Sequence, residues 1–229
     1  MDSRRIQGKI EEYSFLELAK AMLPDMEFPI MSYPYIREAM LPNMESLRAK
    51  MIPRFHYITK DEEQDILNGN WNAKKNYENS EMPYGFYFLD VQIGKLGYYF
   101  PEWFKDKAID TLIKPYYEEA NGNIVFAKMQ LTTAVFCILH EYGHYLDYKK
   151  LGKEEMTIWV HEAKIPVKAY DEKIRSLNAQ GKLTKAICEE RNRLYRQCAD
   201  EHSADIYALS HLKEKVNEAF EYISGEAID

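Results

Sequence analysis

No stretch of this chain approaches the roughly 18 consecutive apolar residues that a membrane-spanning helix needs, so neither insertion nor a membrane partner is expected. The N-terminal MDSRRIQGKIEEYSF has basic residues but no apolar run behind them, which removes the pattern of a secretory leader. Cysteine is scarce: Cys137, Cys188 and Cys198 are the three in 229 residues. An odd number in so long a chain is not a disulfide framework, and reduced thiols in a cytoplasmic protein are expected. Basic charge is also short. Lys and Arg number 30 against 37 Asp and Glu, a net charge of -7, whereas phosphate binding draws on an excess of cations; no nucleic-acid partner is expected. Internal repeats, low-complexity tracts and flexible linkers are absent as well, so nothing points to an array or a tethered module.

What is present is enough apolar material for a sizeable core, 46% hydrophobic and 14% aromatic, in one large domain or two small ones. Residues 4–23 carry Ile6, Ile10, Tyr13, Leu16 and Met22 at near-helical spacing, closed by Pro24, and predict a first helix. Prolines at 24, 29, 34, 42 and 53 turn the next stretch into a connector with helical pieces around 35–51, and a short helix fits 61–68. YGFYFLDVQIGKLGYYF, residues 84–100, is dense in aromatic and β-branched side chains and punctuated by Gly94 and Gly97, which predicts a hairpin. Pro101 suits a helix start, and NGN at 121–123 is a turn signal before a short strand at 124–127. Helices then follow at about 130–150, ending at Gly152, at 155–179, at 183–211 and at 212–223. The expected fold is α+β, with a small antiparallel sheet and a helical C-terminal half.

The chemistry concentrates in FCILHEYGHYLDY, residues 136–148. On a helix, His140 and His144 are one turn apart on one face, so both imidazoles can reach one ion. Glu141 lies about 100° round from His140 and can border the open position of a metal without ligating it. This is the H-E-x-x-H pattern, and the apolar AVFCIL leading into it sinks it into a core. A catalytic zinc takes three protein ligands. Asp147 is too close on the same helix to complete a facial set easily. CADEHSADIYAL, residues 198–209, offers better: Glu201 shares a helix face with Cys198, Ala204, Asp205 and Ala208, small except for its acids, and Gly143 supplies a matching bare spot beside His144. Two helices packed there bring Glu201 to the metal. Asp205, one turn on, is then placed to accept the free ring N–H of a ligating histidine.

HEYGH, with EHSAD beginning 57 residues after His144, resembles the gluzincin metallopeptidases, whose third zinc ligand is a glutamate on a downstream helix. The LHEYGHYL context is most similar to the ImmA/IrrE-type cytoplasmic peptidases, and the anthrax-lethal-factor-like peptidases show a similar H-E-aromatic-G-H core. The resemblance covers residues 124–212. It implies a zincin-like metallopeptidase domain, taken as 81–229; residues 1–80 match no family pattern and are expected to form a helical region packed on it. By position it implies His140, His144 and Glu201 as zinc ligands, Glu141 as general base, and a strand at 124–128 that pairs with an extended substrate backbone. It leaves the oxyanion-stabilising group open among Tyr195, His202, His161 and His211.

The function expected is zinc-dependent hydrolysis of a protein or peptide substrate. The same ligands suit Fe(II) in a two-His-one-carboxylate site, but Glu141 then has no clear task. The rival is a regulatory protein that keeps the metalloprotease scaffold and acts by contact. One coincidence stands outside the resemblance. Cys137 precedes His140 by three residues and Cys198 precedes Glu201 by three, so a pair that fills a packing seam or senses oxidation is a further expectation.

Overall fold

The computed structural model describes residues 3–28, 30–32, 54–56, 85–99, 107–118 and 125–225. Helix dominates: α1 (Ser3–Glu12), α2 (Phe15–Met22), the single turn α3 (Leu96–Tyr99), α4 (Lys107–Glu118), α5 (Val125–Ala163), α6 (Ile165–Ala179), α7 (Lys185–Arg196) and α8 (Ala199–Ser224). Three short strands accompany them, β1 (Ile30–Ser32), β2 (Arg54–His56) and β3 (Gly85–Phe88). β3 is central, parallel to β1 and antiparallel to β2. The expected α+β architecture is therefore corrected to a predominantly helical one, and the small sheet is mixed rather than antiparallel.

Two misplaced strands explain that correction. The expected hairpin at 84–100 is strand only at β3; after it the chain enters a 3-10 turn, Ile93–Lys95, and then α3. Gly94 is not a hairpin turn but a point of close approach, because a Cβ there would lie 2.9 Å from Glu11 Cβ and 3.0 Å from the Glu11 carbonyl oxygen of α1. Glycine is what lets that turn touch the helix. The second misplaced strand, at 124–127, is in its described part the first turn of α5: an apolar run of four cannot by itself be told from a helix start. With it goes the strand expected to pair with substrate at 124–128. The helical pieces expected at 35–51 and 61–68, Pro101 as a helix start and the turn at 121–123 lie outside the described residues.

Helix boundaries follow local chemistry. The single helix expected over 4–23 is two, because Ser14 adopts extended backbone and its hydroxyl accepts from Glu17 N–H at 3.2 Å, capping α2. α5 runs past its expected end, kinked at Gly152, whose φ of 73° only glycine adopts freely. The long helix expected over 183–211 breaks at Gln197 and Cys198. Cys198 is extended (φ -57°, ψ 139°) and is the N-cap of α8, which then continues without interruption through 212–223.

The core lies around α5. Residues 130–141 are buried on every side of that helix, as expected of a helix through the centre of a domain, and α8 packs along it more extensively than any other described pair of elements. Ile10, Phe15 and Leu18 of the N-terminal helices share one apolar cluster with Phe86 and Phe88 of β3 and Leu131 to Leu139 of α5. The described parts of residues 1–80 and 81–229 thus meet in a common core. Lys9 Nζ donates to the Ser224 carbonyl at 2.6 Å, fastening α1 to the end of α8. α6 and α7 pack chiefly on each other, with α7 also meeting α4 and α8, and only Val167 of α6 and no residue of α7 is buried.

Candidate metal centre

α5 and α8 touch most closely where the sequence is smallest. A Cβ added to Gly143 would lie 2.8 Å from Ala204 Cα and 3.2 Å from its Cβ, so the helix backbones meet at van der Waals distance. This approach sets His140, His144 and Glu201 face to face. His140 Nε2 lies 3.2 Å from His144 Nε2 and 3.3 Å from Glu201 Oε2, and His144 Nε2 lies 3.9 Å from Glu201 Oε1. One ligand atom from each of the three residues falls within 4.8 Å of the others. Zinc–nitrogen bonds of about 2.0–2.1 Å at tetrahedral angles make ligand-to-ligand edges of roughly 3.3 Å. Two edges of the observed triangle have that length, and the set of two imidazoles and one carboxylate suits zinc.

The break before α8 sets the third corner. Cys198 as N-cap makes Asp200 and Glu201 first-turn residues, where the free N–H groups and helix dipole favour negative charge. Glu201 is thus at a helix start rather than mid-helix. Its carboxyl is costly to bury, but His140 and the charges of both histidines and Lys164 hold it well below the usual range.

Asp205 Oδ1 lies 3.0 Å from His140 Nδ1, on the far side of the ring from Nε2, a charge contact that is not aligned as a hydrogen bond. Arg196 Nη1 donates to the same oxygen at 3.0 Å. Burial alone would lower the His140 pKa; Asp205 and Glu201 outweigh it and raise it to about 9. Burial and the neighbouring His140 push His144 the other way, to about 3. The pair therefore carries a single positive charge near neutral pH when no metal is bound, on His140, with Nε2 of the neutral His144 facing Nε2 of His140.

Glu141 is buried at 5% exposure on the same helix, and its charge helps to push the Cys137 thiol up. Of the four oxyanion candidates, the structure brings one to the cluster. Tyr195 is half-buried beside Lys164, its ring centroid 3.9 Å from the ammonium, and burial and the neighbouring Glu201 carboxylate hold its hydroxyl well above the ordinary phenol range. His202 and His161 are exposed, and His211 pairs with Ser210 and the Tyr207 carbonyl of its own helix. Asp147 stands outside the triangle, accepting from Ser203 Oγ at 3.1 Å. Cys137 and Cys198 are buried free thiols, each pushed up by burial, and neither is a ready thiolate.

Three charged groups at the cluster escaped the sequence. Lys164 Nζ lies 2.5 Å from Glu201 Oε1 and 2.9 Å from Asp200 Oδ2, Arg196 joins Asp205, and Asp200 is 2% exposed. Asp200 had a signal, as the neighbour of Glu201. Lys164 is far from the motif in sequence and reaches it only through the fold; Arg196 stands just before CADEHSAD, but across the break at Gln197 and Cys198, which helical spacing does not anticipate. Comparison of the chain with protein-family models, curated proteins and solved structures finds no significant match. The site is thus argued on its own residues.

Proposed function

We propose that the protein is a zinc-dependent peptidase, with His140 Nε2, His144 Nε2 and a Glu201 oxygen holding the metal. The supporting observation is the buried triangle of two imidazoles and one carboxylate, with edges of 3.2 and 3.3 Å. The site is also enclosed: Asp200, Glu201 and Asp205 are each at most 4% exposed, with Lys164 and Arg196 beside them.

A zinc ion there supplies Lewis acidity, polarising a carbonyl and making water more acidic. The chain supplies the rest. Asp205, 3.0 Å from Nδ1 of His140, is the group placed to take that ring N–H and leave Nε2 for the metal. Glu141, next along the helix and off the ligand face, accepts a proton from the attacking water and passes it to the amine nitrogen as the C–N bond breaks. Tyr195, beside Lys164 at the edge of the cluster, is the candidate donor to the oxyanion. The substrate is a peptide or protein segment, whose backbone is not held by residues 125–128, since these are helical.

Glu141→Gln separates this role from its rivals. The variant is expected to keep wild-type zinc content by elemental analysis while hydrolysis of a peptide library falls by at least a hundredfold. Loss of zinc would make Glu141 a ligand or a folding residue; undiminished turnover would remove it as the base. A wild type that holds zinc and cleaves nothing would favour the contact-acting scaffold.

A further inference from the structure

Lys164 has no part in the proposed ligand set, yet it is the most enclosed lysine at the cluster. It stands between α5 and α6 with a side chain only 18% exposed. Its ammonium is held on three sides: by Glu201 Oε1 at 2.5 Å, by Asp200 Oδ2 at 2.9 Å, and by the Tyr195 ring, whose centroid is 3.9 Å away. Tyr195 closes α7 and the two acids open α8, so three groups contributed by two helices form a seat for one positive charge. That seat shares a carboxylate with the metal triangle. Oε2 of Glu201 faces His140 while Oε1 faces Lys164.

We propose that Lys164 is a built-in counter-cation that lowers and sets the affinity of the centre for a divalent metal. The inference rests on the zinc reading of the triangle. A fixed positive charge on one oxygen of a carboxylate withdraws electron density from the other and repels a second cation bound there; at such short range and low solvent exposure, little of that repulsion is screened. Without a metal, the same ammonium neutralises Asp200 and Glu201, which would otherwise be adjacent buried anions. Lys164 thereby keeps the metal-free centre folded at the expense of tight binding. The opposite sign is the rival account: if Lys164 only orients Glu201, as outer partners of ligands commonly do, removing it weakens the metal by 10–100-fold.

Zinc affinity measured by competition with a chromophoric chelator decides between them, with His140→Ala as the reference for a broken centre. Lys164→Met, similar in length but uncharged, is expected to bind zinc at least ten times more tightly than wild type, and Lys164→Arg, which keeps the charge, to stay within about threefold of it. Lys164→Gln gives the same comparison should the Met variant fold poorly, as judged by thermal unfolding of the metal-free protein. Unchanged or weaker zinc binding in the uncharged variants, with wild type binding zinc, overturns the role of Lys164 and leaves the triangle intact. Absence of zinc binding in wild type and all Lys164 variants overturns both. Zinc bound by the Met variant and not by wild type supports both in their strongest form.

Discussion

Asp147 shows how little separates a ligand from a bystander at the scale of one residue. Three positions after His144, it turns away from the triangle and is half-buried, accepting from Ser203. Burial raises its pKa against the lowering effect of Ser203 and Lys150. A carboxyl whose folded pKa lies above its unfolded one binds its proton more tightly in the native state, so its ionisation opposes folding above both values and the penalty vanishes below them. Asp147→Asn, which keeps the acceptor for Ser203, is expected to raise the thermal midpoint at pH 7, with the gain disappearing as the pH falls below the ordinary carboxylate range. Zinc content should not change. A variant that lost zinc would return Asp147 to the ligand set.

At the scale of elements, the centre depends on how closely α5 and α8 approach. Gly143 and Ala204 are the contact, and a methyl group on Gly143 would meet the Ala204 Cα at 2.8 Å, where backbone cannot yield as a side-chain tip can. Gly143→Ala is expected to destabilise the fold by about 1–3 kcal/mol, the range for overpacking, and to weaken zinc binding, because helices forced apart separate Glu201 from the histidines. Chemical denaturation and chelator competition measure the two effects, and wild-type values for both would show that the interface has slack. The α6–α7 hairpin belongs to the same scale. It leaves α5 at Lys164 and returns to α8 past Tyr195 and Arg196, so both of its roots touch the acids of the cluster while its body buries little.

At the scale of the molecule, the proposed centre joins the two helices with the most extensive contact, and a ligand bound only by the native state stabilises the whole. With zinc at a hundredfold over its dissociation constant, the gain is about 2.7 kcal/mol, or roughly 5–11 °C in Tm for a domain of this size. A strong chelator is expected to remove that increment from wild type and none from Glu201→Ala, whose triangle lacks a corner. Equal chelator responses would place the stabilising metal elsewhere. Among the described residues no helix is long and apolar enough to cross a membrane, in keeping with the absence of long apolar runs.

The spacing of His140, His144, Glu201 and Asp205 was legible because each pair lies on one helix, where the 3.6-residue turn converts sequence separation directly into direction. The small face of Gly143 and Ala204 was legible for the same reason, since close helix approach needs absent side chains. By itself the sequence therefore determined which residues could share a face and which faces could meet. It did not determine the fold class. The apolar and aromatic runs at 84–100 and 124–127 satisfy a strand or a helix equally, and only the tertiary structure made residues 93–99 of the first and the described part of the second helical. Nor could local spacing carry Lys164, Tyr195 and Arg196 to Glu201, or break the helix at Cys198 so that Glu201 stands in a first turn. Those outcomes depend on where helix junctions lie in space, and the tertiary structure alone decided them.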